Sequence, residues 1–317
     1  MLNIGLIGHG RVAARHADAL RKIDGASLWS VLGLDHARVV QFAEQYGACA
    51  INPSFVNIQD MLAAPMLDAV IITTPDKQHA SNIISALASN KSILVEKPIC
   101  TDLKDGEIII NLSRESSQTI AVGYHLRWHD GLRKLAKNCH RQTFGEISHL
   151  KLSWGVSFFG QHKWRTDLTQ SRWLCLTVLG THLIDIARWF LVPLCGEIIH
   201  TKSKVINQKQ DIFDERVEAI FTFESGAKCL LECSVMHDEP FKLELVSSKT
   251  KIIGSELTGD NRRIWVNDKP LVFEKNNPYL AQLKDFIQAI QQKRAPEVDV
   301  EEGMNNIKQL DLIWPRN

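Results

Sequence analysis

Short apolar runs alternate with stretches of helical period from Leu2 to Gly123, and this alternation predicts a parallel sheet flanked by helices. The apolar runs place strands at Leu2–Ile7, Ser27–Leu34, Ala69–Thr73, Ile93–Val95 and Thr119–Gly123. Between them the spacing of apolar residues places helices at Val12–Lys22, His36–Tyr46, Ile58–Ala63, His79–Ala88 and Leu103–Ser116. After about Leu126 the rhythm changes. Strand-like runs at His149–Phe159, Arg216–Phe223, Lys228–Val235, Phe241–Val246 and Arg262–Val266 follow one another with little helix between, the pattern of an antiparallel sheet. One helical stretch, Leu179–Leu191, interrupts this with Leu179, Leu183, Ile186, Ala187 and Phe190 at core-facing spacing. Two more helices, Tyr279–Gln292 and Val300–Ile313, close the chain. The expected division is a doubly wound α/β domain over 1–123 and, over 124–317, an α+β domain with a mostly antiparallel open sheet and C-terminal helices.

The length of 317 residues fits two such domains. The 37 basic and 36 acidic residues nearly cancel, so no strong field favours a polyanion and no nucleic-acid partner is expected. No run approaches ~18 consecutive apolar residues, so no membrane span is expected. The seven cysteines are scattered, without a C-x-x-C pair or a secretory leader ahead of the first strand, and are read as reduced thiols of a cytoplasmic protein. Cys229 and Cys233 stand four apart in a strand-like run, where that spacing merely shares a face; no metal is expected.

Candidate chemistry begins in the first turn. Gly8-His9-Gly10-Arg11-Val12-Ala13 reads G-x-G-x-x-A directly after a strand and before a helix, the fingerprint of a dinucleotide-binding Rossmann domain. Gly8 makes the tight turn, Gly10 lets the backbone approach a pyrophosphate, and the amides of Arg11 and Val12 at the helix start face the phosphates. Asp35, near the end of the second strand, is placed to accept hydrogen bonds from a ribose diol and favours NAD over NADP, while Arg38 nearby favours the reverse.

Further stretches carry a family resemblance: Ile71-Ile72-Thr73-Thr74-Pro75 followed by His79, Glu96-Lys97-Pro98, Gly145-Glu146-Ile147, and Gly180-Thr181-His182-Leu183-Ile184-Asp185. Together with the fingerprint they resemble, in order and spacing over essentially the whole chain, the glucose-fructose oxidoreductase, inositol dehydrogenase and rhizopine-catabolism family, Gfo/Idh/MocA. The resemblance implies hydride transfer between a nicotinamide and a hydroxyl-bearing carbon of a sugar, sugar acid, nucleotide sugar or cyclitol. It implies an open sheet that forms homodimers or homotetramers. It puts Thr73, Thr74, Pro75, His79 and Glu96 at the cofactor, and Lys97 at both cofactor and reacting hydroxyl. It puts His182 at the substrate, with Tyr124, Arg127, Trp164 and Arg165 lining the same pocket. Lysine suits proton removal from an alcohol when burial and a neighbouring nicotinamide cation lower its pKa toward neutrality. Arg127 and Arg165 hint at an anionic substrate.

One position departs from the family. Many catalytic relatives carry an aspartate four residues ahead of the histidine, and Val178 stands there instead; the glycines usual before it are replaced in Ser171-Arg172-Trp173-Leu174-Cys175-Leu176-Thr177. Three readings are compatible with this. Lys97 and His182 suffice; or another carboxylate such as Asp167 serves; or the chain binds a dinucleotide without turnover, as a regulatory or scaffold protein. Redox-assisted glycoside hydrolysis, which some relatives perform, is a further alternative.

Overall fold

The computed structural model describes residues 1–157, 163–167, 169–206, 213–259 and 261–314. The expected strand end at Phe158 and Phe159 lies outside the described residues. Six parallel strands form the first sheet: β1 (Leu2–Ile7), β2 (Ala26–Leu32), β3 (Ser54–Phe55), β4 (Ala69–Ile72), β5 (Ser92–Glu96) and β6 (Ile120–Gly123). Their order, β3-β2-β1-β4-β5-β6, reverses between β1 and β4, where open α/β sheets bind ligands beyond the carboxyl ends of the strands. Helices α1 (Arg11–Leu20), α2 (His36–Tyr46), α3 (Ile58–Leu62), α4 (His79–Ala88) and α5 (Leu103–Glu115) connect them. Strands β4 and β5 are buried at every position, as a sheet covered on both faces requires.

The second sheet contains β7 (Ile147–Gly155), β8 (Ile198–Ile206), β9 (Arg216–Phe223), β10 (Lys228–Ser234), β11 (Glu239–Ser247), β12 (Lys251–Ser255), β13 (Arg263–Val266) and β14 (Lys269–Pro270). Its order is β14-β13-β12-β11-β7-β10-β9-β8, antiparallel throughout except for the β7–β10 pair. Strands β9 and β10 alternate buried and accessible residues, so only one face is covered. Helices α6 (Asp130–His140) and α7 (Thr181–Cys195) belong to this part, and α8 (Pro278–Gln292) and α9 (Val300–Ile313) end the chain.

The chain does not divide as a simple cut at 123/124 expects. One compact unit joins Met1–Trp128 to Asn277–Ile307; the other holds His129–Asn276 and the chain from Lys308. The reason is α8: its Tyr279, Leu283, Phe286 and Ile287 enter the core built by Ile4 and Leu6 of β1 and Ala13 and Ala17 of α1. Apolar spacing shows that a helix has a buried face, not which core receives it.

The segment Leu176–Cys195 is long and apolar enough to cross a membrane by length and composition, but most of it is buried within the second unit. Its Leu179, Leu183, Ile186, Ala187 and Phe190 are each at most 1% exposed, so it is a core helix.

Candidate active site

Gly8 adopts φ +104°, and a Cβ there would fall 2.7 Å from Thr73 Oγ1 and 3.0 Å from its backbone, so only glycine lets the turn lie against the end of β4. Thr73 closes the contact by donating from its amide (2.8 Å) and hydroxyl (3.2 Å) to Ile7 O. Gly10 is the N-cap of the ten-residue α1 and has no side chain to cap it; a Cβ built on it meets nothing within 4 Å. The amides of Arg11 and Val12 begin this helix, and a helix start with open space at its N-cap suits a pyrophosphate. The turn therefore fits the phosphates of a dinucleotide.

The nicotinamide end is built at the carboxyl ends of β4 and β5. His79, 2% exposed, has Nδ1 2.7 Å from Pro98 O and Nε2 3.0 Å from Thr74 O. Its ring thus ties the Thr74–Pro75 turn to the segment that carries Lys97. Asn82 donates to Thr74 Oγ1 at 3.0 Å and steadies the same turn. Lys97 is partly buried, and its charge acts on both Glu96 and His125.

Glu96 points into the unit rather than outward. His16, fully buried on α1, donates through Nε2 to Glu96 Oε1 at 2.8 Å. Burial pushes the Glu96 carboxyl up, but the hydrogen bond and charge of His16, with His125 and Lys97, leave it net below the usual carboxylate range. Tyr279 meets the His16 ring edge-on at 5.1 Å and stacks on His125 at 4.4 Å. Desolvation pulls His125 down to about 3. Sequence reasoning missed His16, Tyr279 and His125. A histidine on the alanine-lined face of α1 was the available signal for His16; nothing local marks Tyr279, which arrives from the far end of the chain.

Asp35 proves to be the N-cap of α2: it is exposed and accepts from Arg38 N at 3.2 Å. Arg127 is 3% exposed and pairs with Glu302 of α9 at 2.5 Å, so its charge already has a counterion. Tyr124 is fully buried.

In the second unit, Val178 lies in a π-type turn, Leu176–Gly180, that runs into α7. The buried Asp214 opens this turn by accepting from Leu174 N (2.7 Å) and Leu176 N (2.6 Å). Trp173 fills the space beside it, donating through Nε1 to Trp314 O at 3.1 Å, while Arg172 pairs with Asp311 at 2.6 Å. The residues that replace the expected glycines thus form a packed anchor. His182 is 3% exposed on α7, with the Trp154 ring 6.0 Å from its own. Asp185, one turn on, is 1% exposed. Trp164 and Arg165 occupy a short 3-10 turn, Lys163–Thr166, in which the guanidinium stacks on the indole at 4.2 Å. Asp167 is exposed and accepts at Oδ1 from Thr169 N (2.8 Å) and Oγ1 (2.7 Å) in a local turn. Among the described residues no group of three or more His, Cys, Asp or Glu could hold a metal ion.

Comparison with known proteins decides the lineage. Residues 2–124 match the oxidoreductase family model with an NAD-binding Rossmann fold, and residues 132–257 match the GFO/IDH/MocA C-terminal domain. The chain is 32% identical over 237 residues to an inositol 2-dehydrogenase of Corynebacterium glutamicum, covering 74% of this chain and 67% of that one. The chain belongs to the GFO/IDH/MocA family. It is 25% identical over 261 residues to the glucose-6-phosphate 3-dehydrogenase of Bacillus subtilis, covering 78% of this chain and 73% of the relative. A 3-ketoreductase from Actinomadura kijaniata, solved with NADP and TDP-benzene, superposes with a TM-score of 0.88 at 19% identity over 98% of this chain and 96% of its own. As a GFO/IDH/MocA member the protein is an oxidoreductase with an NAD(P)-binding Rossmann domain. The relatives give no support to the non-catalytic alternative that Val178 raised.

Proposed function

We propose that the protein transfers a hydride between NAD(P) and a hydroxyl-bearing carbon of a sugar, sugar acid, nucleotide sugar or cyclitol. The observation that carries this reading is the His79 clamp, which joins the Thr74–Pro75 turn to the Lys97 segment beside a fingerprint turn shaped for phosphates. The dinucleotide, when bound, supplies the hydride acceptor. Lys97 Nζ, as the free amine, takes the hydroxyl proton while the carbon gives up its hydride, which leaves a carbonyl. His182 is assigned to the substrate oxygen and assists the same proton. Trp164 and Arg165 are assigned to substrate contact, since their stacked pair presents a planar cation. Arg127, compensated by Glu302, is assigned to holding its segment in place rather than to recognition of an anion. The open face of the second sheet is assigned to association of copies as a homodimer or homotetramer.

Val178 leaves the family's aspartate position without a proton acceptor; Asp214 accepts backbone amides with both oxygens, and Asp167 accepts from Thr169 with Oδ1. Catalysis therefore rests on Lys97 with His182, and the loss of one acid–base partner costs ~10²–10⁴-fold relative to a complete set. The test is Lys97→Met. It is expected to abolish turnover while dinucleotide affinity stays within a few-fold, measured by NAD(P)H fluorescence titration; turnover retained by the variant would remove Lys97 from the chemistry.

A further inference from the structure

In dinucleotide folds the residue at the end of the second strand reads the 2′ position of the adenosine ribose, a carboxylate accepting from the hydroxyl and repelling a phosphate. The backbone here identifies which residue that is. β2 ends at Leu32, and Gly33 is still tied to the sheet edge through its amide, which donates to Phe55 O at 3.1 Å. A Cβ built on Gly33 would fall 2.1 Å from His9 Nδ1 and 2.5 Å from His9 Cε1. Position 33 is therefore the one whose side chain would point at the fingerprint turn, and it carries none. The ring of His9, between Gly8 and Gly10, fills that space instead, with its buried Nδ1 lacking a hydrogen-bond partner among the described residues.

Asp35 lies two residues further on, where it caps α2 and accepts from Arg38 N. Arg38 is exposed in the first turn of the same helix, and both Arg38 and Asp35 are near enough for their charges to act on His9, with opposite sign. Asp35 and Arg38 carry opposite charges on one turn and cancel to first order, so the balance is set by what stands at position 33 and by the donors at hand. Arginine binds phosphate through two parallel N–H donors, a geometry that a ribose hydroxyl cannot use.

We propose that this site takes NADP(H) in preference to NAD(H), because Gly33 omits the carboxylate that would exclude a 2′-phosphate while Arg38, with the His9 ring beside it, binds one. The inference rests on the dinucleotide reading given above and assigns the specificity of that same site to Gly33, His9 and Arg38.

Fluorescence titration of the wild-type protein with NADPH and NADH is the test, and NADPH is expected to bind at least about tenfold more tightly. Arg38→Ala is expected to cost NADPH about tenfold while NADH stays within about twofold, the loss of a single bidentate phosphate contact. Gly33→Asp is expected to reverse the preference. Gly33 has no left-handed φ, but an aspartate there must displace the His9 ring and also meets Cγ2 of the buried Val39 at 2.9 Å. If Gly33→Asp fails to fold, the wild-type ratio and Arg38→Ala decide alone. NADH bound as tightly as NADPH by the wild type, or an Arg38→Ala ratio unchanged, overturns this inference and leaves the dinucleotide site standing. Failure of both cofactors to bind overturns the site itself.

Discussion

His79 faces one carbonyl with each ring nitrogen, Pro98 O at 2.7 Å and Thr74 O at 3.0 Å, in a site that water barely reaches. Removing the ring takes away the N–H donated to one of these carbonyls, and the cost of stranding such a group is roughly 1–3 kcal/mol when buried. His79→Ala is therefore expected to lower the urea midpoint. It is also expected to reduce kcat more than cofactor affinity, because the Thr74 turn and Lys97 lose their common reference; a variant with unchanged kcat would detach the clamp from the chemistry. Residue types in the order Thr-Thr-Pro, His, Glu-Lys-Pro were legible in the sequence, and so were Gly8 and Gly10. Their partners were not. The pairing of His16 with Glu96 spans 80 positions and that of Arg127 with Glu302 spans 175, and no local rule reaches so far.

At the scale of elements, strands that pack on both faces were read closely, since β4 is an uninterrupted apolar run and the only polar side chain in β1 is that of Asn3. β8 was missed because it is an edge strand, rich in Lys, His and Ser and largely exposed, and edge strands carry charge to discourage further pairing. α6 was missed although Leu132, Leu135, Ala136 and Cys139 follow helical spacing; its cap is His129, whose Nδ1 accepts from Leu132 N at 3.1 Å, an uncommon choice. Asp35 has a use that the sequence spacing did not show: beside the ribose contact expected of it, its side chain caps α2. Asp35→Ala is expected to cost about 1 kcal/mol of stability, as N-cap loss does, with the NADPH-to-NADH affinity ratio moved less than by Arg38→Ala. Thermal melts and paired titrations check both parts.

For the whole molecule, the first compact unit holds His16 and His125 beside Glu96 and the second holds the buried His129, and these contribute to the response to acid. Desolvation takes His129 down to about 4 and His125 to about 3, against an ordinary 6.5. The unfolded chain therefore takes up protons first as the pH falls below 6.5. The contribution of both residues is complete above that value and is lost progressively through the window down to about 4 for His129 and about 3 for His125, at up to about 1.4 kcal/mol per pH unit each. Glu96, held below its ordinary 4.5, adds a loss of the same sign lower in the range. Denaturant midpoints are expected to fall between pH 7 and pH 5. In His129→Asn, which keeps an N-cap acceptor without a titrating ring, that slope is expected to be shallower; an unchanged slope would take His129 out of the account. The fold class was legible because two periodicities change over near Leu126, whereas the return of α8 to the first unit depends on which core Tyr279 and Phe286 fill.

The central claim is hydride transfer to or from a polyol carbon without a carboxylate at position 178. The measurement that tests it is the absorbance of reduced nicotinamide, followed with purified wild-type protein, NADP or NAD, and a panel of cyclitols, aldoses, uronates and nucleotide sugars. The account predicts cofactor reduction with at least one member of the panel, abolished in Lys97→Met and increased in Val178→Asp. Tight cofactor binding with no reduction by any member, and none gained in Val178→Asp, would contradict it.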